Sequence, residues 1–282
     1  VAQAANPTGS PRLRQLDPIA DHISRHFEAR SRAYVEIFLD GAPVTDREAE
    51  AIESDEIYGQ VYLPRKFKLA VTAAGDNSVD ALTQDLTFAA TYDESEQIDG
   101  WFVYAGGGMG MTHGNTATFP RLADLLGWIP HKSIITVAEA IVTTQRDYGD
   151  RAERSHARLK YTIEDRGLAW FRAEVERRAH ISFEPRNPPP WQVPNYLGWI
   201  KSHDGTLALG YHVLSGRLRG VLKSAIRDLV KRYQLDVQLT AEQDLILLGI
   251  PASARTDIEE FLTAKGLDPA SPSPLHDRAL TC

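Results

Sequence analysis

Two lysines one residue apart, Lys66 and Lys68, stand in the run Tyr62-Leu63-Pro64-Arg65-Lys66-Phe67-Lys68, ahead of the apolar Leu69-Ala70-Val71-Thr72. Pro64 has no N–H and suits the first position of a strand. In a strand led by Lys66 the side chains alternate, so Lys66, Lys68 and Ala70 share one face and Phe67, Leu69 and Val71 the other. Two strand positions span roughly 6.6–7 Å, which lets two ammonium groups converge on one small anion. Lysines at this spacing also mark an edge strand guarded against pairing with other chains, and spacing by itself weighs toward that reading. A second cluster is cationic: Arg146, Arg151, Arg154, Arg158 and Lys160, against Asp147, Asp150 and Glu153. Such a mixed stretch is either a solvated face or a carboxylate-binding one, since the arginine fork pairs with carboxylates. A third is Gly106-Gly107-Gly108-Met109-Gly110. It is either a loop needing positive φ or a row of bare N–H groups that admits a ligand's carboxylates. Met111 occupies the place of the third glycine of a dinucleotide fingerprint, and the next helix is expected only near Thr118-Phe119-Pro120, so that fingerprint is excluded.

Composition narrows the classes. The chain has 282 residues, 43% hydrophobic and 24% charged, the profile of a globular protein long enough for two domains. A net charge of −7 argues against nucleic acid as partner. No apolar run approaches the ~20 residues that span a bilayer, so no membrane is expected. The start, Val1-Ala2-Gln3-Ala4-Ala5, lacks the charged and apolar regions of a signal peptide. The only cysteine, Cys282, allows no internal disulfide and agrees with a reducing, cytoplasmic compartment.

The elements that must position these groups follow from periodicity. Residues 1–15 read as an irregular lead-in and Pro18 to Phe27 as a helix. Ala33 to Leu39 reads as a buried strand, closed by an Asp40-Gly41 turn. The acid-rich stretch 44–56 reads as a solvated loop. Strands are expected from Lys66 to Ala74, from Leu86 to Thr91 and from Gly100 to Ala105. Helices follow over Ser133 to Tyr148, ended by Gly149, and over Leu168 to Arg178. Pro185, Pro188, Pro189, Pro190 and Pro194 read as a stiff linker at a domain boundary. Beyond it the order β-β-α-β-β-α runs to Lys265-Gly266, an α+β unit. Leu222, Ile226, Leu229, Val230, Leu239 and Ile246 are expected to be buried together there. Limited proteolysis is expected to cut first in 185–194 or 267–276.

The stretch Ile57 to Lys68, together with Gly106 to Gly110, Val142-Thr143-Thr144-Gln145-Arg146-Asp147 and Tyr196-Leu197-Gly198-Trp199, resembles the sirohaem-dependent sulfite reductases in order and spacing. The resemblance covers about residues 5–282. It implies an α+β fold: a sirohaem and substrate domain over 1–190, a ferredoxin-like half-domain over 195–266, and a linker with the start of a cluster-binding domain over 267–282. The implied activity is assimilatory sulfite reduction, a six-electron conversion of sulfite to sulfide at a sirohaem coupled to a 4Fe–4S cluster. Lys66, Lys68 and Arg158 are implied to bind the oxyanion and relay protons. Arg65, Gly106, Gly107, Gly108, Arg146, Arg151, Arg154 and Gln243 are implied to lie against the sirohaem. Gln243 stands in Glu242-Gln243-Asp244, where many relatives carry Asn-Gln-Asn. Cys282 matches the first of four cluster cysteines. The implied electron donor is ferredoxin or an NADPH-dependent flavoprotein. The alternatives are a sirohaem nitrite reductase, which usually has Asn at the position of Lys68, and a non-catalytic ferredoxin-like interaction module. The chain reads as a central fragment, expected to be colourless and inactive by itself. Lys66, Lys68 and Arg158 are expected to face one shared cavity, beside an open basic groove near Gly106 to Met111.

Overall fold

The computed structural model describes residues 1–29, 38–39, 42–43 and 55–269. In chain order its elements are β1 (Ala2–Gln3), α1 (Pro11–Arg14), α2 (Leu16–His26), β2 (Phe38–Leu39), β3 (Ala42–Pro43), β4 (Leu69–Ala73), β5 (Leu86–Tyr92), β6 (Ile98–Ala105), β7 (Asp124–Pro130), α3 (Ile134–Tyr148), α4 (Leu159–Arg166), α5 (Leu168–Ala179), β8 (Gly198–Lys201), β9 (Leu207–Tyr211), α6 (Gly220–Tyr233), β10 (Asp236–Leu239), β11 (Leu245–Ile250) and α7 (Arg255–Ala264). Of the strand expected over Ala33 to Leu39, only β2 is described, paired with β3; Asp40-Gly41, most of the acid-rich stretch and Cys282 lie outside the described residues.

The first sheet has the order β1-β4-β5-β6-β7, parallel from β1 to β5 and antiparallel beyond. Its main core joins Val71, Leu86, Phe88, Trp101 and Val103 of the sheet to Ile23 of α2, Ile141 of α3, Ile163 of α4 and Phe171 of α5. The opposite face gathers Ala89, Phe102, Tyr104 and Trp128. The proline stretch lies along this face: Trp191 packs on Tyr104 at 5.2 Å, and Gln192 exchanges backbone hydrogen bonds with Gly75 and Asn77. The segment read as a stiff linker is therefore anchored to the first unit, because its remaining N–H and C=O groups find partners on the sheet rim.

Two further expectations are corrected, and a third holds with a different backbone geometry. The strand begins at Leu69 rather than Lys66, because the Lys68 N–H is taken by the Asp85 carboxylate at 2.8 Å instead of by a neighbouring strand. No helix starts near Thr118; the Thr118 hydroxyl closes a turn on Asn115, and β7 follows, paired with β6. Gly149 does end α3, but with extended φ/ψ (−68°, 144°); a Cβ there would meet Gln145 and Pro64 at 2.6–2.7 Å.

The second sheet is antiparallel, in the order β10-β11-β9-β8. One face packs Leu209, Leu245 and Leu247 against Ala225, Ile226 and Leu229 of α6 and Ile258 and Leu262 of α7. The other carries Ala208 and Ile246, which meet Ala5. The expected common core is corrected at two positions. Ile246 faces away from α6, as the period of two requires for a neighbour of Leu245 and Leu247, and Leu239 on edge strand β10 is 77% exposed. The lead-in is not irregular throughout. β1 pairs with β4, the Asn6 N–H donates to Gln238, and Pro7 and Thr8 carbonyls accept from Ser202 and His203, so residues 2–8 join the two sheets.

Candidate functional site

Asp85 is the meeting point of the segments singled out by sequence. It sits just ahead of β5 and is fully buried. Its carboxylate accepts the Lys68 N–H and both the Nε (3.2 Å) and Nη2 (2.7 Å) groups of Arg158, while its carbonyl accepts the Gly106 N–H at 2.9 Å. Burial pushes the Asp85 carboxyl above the usual aspartate range, and the nearby Arg158 and Lys68 charges oppose that rise.

Arg158 precedes α4 in extended conformation. The buried amide of Gln145, on α3, fixes it from both sides: Nε2 donates to the Ala157 carbonyl (2.6 Å) and Oε1 accepts from Thr162 (2.8 Å). A Cβ built on Gly108 would lie 3.3 Å from Cζ, Nη1 and Nη2 of Arg158 alike, so the guanidinium lies face-on over the bare glycine.

Phe67 turns into the main core while Lys66 and Lys68 are exposed, the alternation the sequence implies. Neither lysine makes an ion pair with the described residues. Arg65 is half-buried and Arg154 exposed, and neither makes a hydrogen bond or ion pair with the described residues.

Other cations are already committed. Arg146 donates to the Ile57 carbonyl (2.5 Å) and pairs with Asp147 (2.7 Å). Arg151 donates to the carbonyls of Val61, Tyr62 and Arg146. The pair thus grips the backbone leading into Lys66, and Arg151, whose partners there are all neutral carbonyls, stays exposed and charged. The row of bare glycine N–H groups is corrected too. Those of Gly106, Gly107 and Gly108 go to the carbonyls of Asp85, Gln84 and Arg121. Close packing is what excludes side chains there: a Cβ on Gly107 would stand 2.3 Å from the Leu82 oxygen, and one on Gly106 2.6 Å from Ile163. Gln243 adopts φ 71° in the β10–β11 turn of the second unit, against Gly216, and is not among the groups that meet at Asp85.

Sequence reasoning missed Asp85, and it placed Lys160 on a charged surface. Lys160 is buried; its ammonium donates to the carbonyls of Gly108 (3.0 Å), Gly110 (2.7 Å) and Phe119, and lies over the Tyr161 ring at 4.7 Å. Burial, then Arg158, lowers its pKa, while Asp85 works against that shift. An ammonium has three donors, so this one is spent on the loop that carries exposed Met109 and Met111. The sequence carries only part of this signal: Leu159 and Ile163 repeat at helical spacing, which points to a helix but not to a covered Lys160.

The fold and its cation cluster define an α+β protein with two exposed lysines and a pinned arginine at the end of one sheet. The chain belongs to the nitrite and sulfite reductase family: a family model described as "Nitrite and sulphite reductase 4Fe-4S domain" matches residues 19–183, and one described as "Nitrite/Sulfite reductase ferredoxin-like half domain" matches residues 200–265. It is 42% identical over 275 residues to the sulfite reductase [NADPH] hemoprotein beta-component of Methylobacterium sp. (strain 4-46), covering 95% of this chain and 45% of that protein. It is 40% identical over 267 residues to the sulfite reductase [ferredoxin] of Synechococcus elongatus, covering 88% and 43%. The chain thus spans about half the length of the curated relatives it matches. Among solved structures it is similar to the Mycobacterium tuberculosis NirA protein, with a TM-score of 0.66 and 30% identity over 78% of this chain and 39% of that one. Among the described residues no helix is long and apolar enough to cross a membrane, and no group of His, Cys, Asp or Glu is placed to hold a metal ion.

Proposed function

We propose that this chain supplies the substrate-anion half of a sulfite reductase, with Lys66, Lys68 and Arg158 as the groups that take the oxyanion. The observation that carries this reading is the arrangement at Asp85, which pins Arg158 to the Lys68 backbone while the Lys66 and Lys68 side chains stay exposed without ion pairs to the described residues. Fixed cations of this kind stabilise charge that develops on an oxyanion as it is reduced. The lysine ammoniums are also proton donors of a mobile kind, suited to releasing a proton to an oxygen that departs as water.

A sirohaem fits these residues in part. Arg65 and Arg154, half-buried and exposed, retain guanidinium donors for a carboxylate-rich macrocycle, and exposed Arg151 keeps its charge, whereas Arg146 is paired with Asp147 and the three glycine N–H groups are occupied within the protein. When bound, that group would supply the redox chemistry. A 4Fe–4S cluster takes four thiolates, of which this chain could supply one, Cys282, so these residues alone would not hold the cluster that the matching family model's description names. The electron donor in this reading is a ferredoxin or an NADPH-dependent flavoprotein.

The test is turnover in the longest natural form of the protein. Lys68→Met is expected to cost roughly 10²-fold in sulfite reduction, the size of losing one transition-state donor, while the visible cofactor spectrum persists. Unchanged turnover in Lys68→Met and Lys66→Met alike would refute the assignment.

A further inference from the structure

We propose that Asp85 is the positioning residue of the anion site, a role that rests on reading Lys66, Lys68 and Arg158 as its anion ligands. Each contact of Asp85 fixes a different part of that site. The Lys68 N–H on its carboxylate sets where the lysine leaves the backbone (2.8 Å). The two-pronged contact with Arg158 sets the guanidinium plane, and Gly108 closes one face of that plane. The Gly106 N–H on its carbonyl ties in the glycine loop. With Nε and Nη2 engaged and one face covered, Arg158 retains the Nη1 side for a ligand, and its side chain is only 13% exposed. One rigid guanidinium is thereby combined with two flexible ammoniums. The rigid group fixes where an oxygen sits, and the lysines follow the anion.

This role carries an unusual sign. Asp85 is an anion beside an anion site, so charge alone predicts that removing it tightens binding. Positioning predicts the reverse, since an unpinned Arg158 must be ordered at the ligand's expense. Asn is isosteric and keeps an acceptor for the Lys68 N–H, but it loses the ionic contact with Arg158.

The experiment uses the 282-residue chain, labelled with ¹⁵N, and sulfite under argon as the probe. In the wild-type chain the Arg158 Nε–H signal is expected to exchange slowly, and in Asp85→Asn to vanish into the solvent-exchanging pool. Sulfite affinity is expected to fall about tenfold in Asp85→Asn, within the range of coupled neighbouring groups. In an Arg158→Ala background the same change is expected to have no weakening effect. Tighter or unchanged binding in Asp85→Asn, or additive effects of the two substitutions, would overturn the proposal. Amide shifts of Ile141 in the main core and Leu229 in the second unit, neither of which bonds to Asp85, report the fold independently and separate misfolding from mispositioning. Unchanged turnover in Lys68→Met and Lys66→Met of the longer protein, with this coupling intact, would strike the catalytic reading and leave the positioning role standing.

Discussion

The second unit and the site region are held together by different means. Around β8 to α7 the contacts are apolar and sequence-adjacent: β8 pairs with β9, β10 with β11, and α6 and α7 cover the sheet with Ile226, Leu229, Ile258 and Leu262. Around Lys66 the contacts are polar and reach far along the chain. Arg158 finds Asp85 across 73 positions, Arg146 finds Ile57 across 89, and Arg151 finds Val61 across 90. A cluster built of short-range apolar contacts tolerates small shifts. One centred on a buried ion pair such as Arg158–Asp85 is costly to break from either side, because the abandoned partner stays buried and charged.

The sharpest way to break this contrast is to excavate the second core. Leu229→Ala is expected to destabilise the second unit by about 2–5 kcal/mol, the usual range for a fully buried leucine, measured by chemical denaturation followed through Trp199. Leu239→Ala, at a 77% exposed position, is expected to stay within about 0.5 kcal/mol. Equal effects would mean that β10 is covered in solution. In the site region the matching probe is Gly107→Ala. Its Cβ would stand 2.3 Å from the Leu82 carbonyl oxygen and 2.6 Å from that of Gln84, and both are backbone atoms that cannot swing away. A loss of about 1–3 kcal/mol is expected from this overpacking. Gly108→Ala, 3.3 Å from the Arg158 guanidinium, is expected to cost less stability and instead to displace Arg158.

The contrast explains what the sequence discloses. Leu222, Ile226, Leu229 and Tyr233 announce α6 because periodicity is local, and the strands on either side of Asp204-Gly205 are legible for the same reason. Ile246 and Leu239 were misplaced because apolarity says that a residue is covered somewhere but not on which face of the sheet. Lys66 and Lys68 are legible as a pair. Asp85 is not, since one aspartate ahead of a strand looks like a loop residue until Arg158 comes to it. Arg146 and Arg151 are legible as cations but not as braces of the backbone, since their carbonyl partners at 57, 61 and 62 carry no side-chain signature. The prolines of 185–194 exclude helix, but their anchoring runs through backbone groups of Gly75 and Asn77 that composition does not register.

Lys160 tests whether the buried cations of the first unit hold loops rather than ligands. Lys160→Met keeps the stem but removes three hydrogen bonds to the carbonyls of Gly108, Gly110 and Phe119. Each charged hydrogen bond is worth about 1.5–3 kcal/mol, and the freed carbonyls recover part of that from water. Amide exchange in 109–119 is expected to rise roughly 10- to 100-fold, with α6 and β11 unchanged. Lys160→Arg is expected not to rescue it, since a planar fork cannot aim at three converging carbonyls. Unchanged exchange in 109–119 would show that the aromatic contacts to Phe119 and Tyr161, not the ammonium, fix the loop.

The smallest expected effect is one of pH. In the first unit Arg178 of α5 joins α3 by pairing with Asp147 (2.8 Å), and within α5 it is held in place by Glu174 (2.7 Å), which also takes Arg177 (2.7 Å). The hydrogen bond from Arg177 leads in holding the Glu174 carboxyl down at about 2, against its burial and with help from Arg178. For Asp147 burial acts upward, but the hydrogen bonds from Arg146 and Arg178 outweigh it, and the group ends below the usual aspartate value. A carboxylate whose folded pKa lies below its unfolded one contributes stability that is complete above the unfolded value and is lost as pH falls through the folded one. For Glu174 that window runs from 4.5 down to about 2. The α6–α7 packing rests on the non-titrating Ile226, Leu229, Ile258 and Leu262, and the carboxylate that also joins these helices, Asp257 paired with Arg232 at 3.1 Å, is half-exposed and contributes little. Acid between those limits is therefore expected to loosen α3 against α5 before it loosens α6 against α7. Hydrogen exchange at pH 3 checks this, read as protection factors relative to pH 6. Amides of 137–145 and 171–178 should lose protection by a small factor while those of 225–230 hold theirs, and Glu174→Gln should abolish most of the difference. If both units lose protection together, the acid sensitivity comes from elsewhere in the chain and the ion pairs of Arg178 contribute little at this interface.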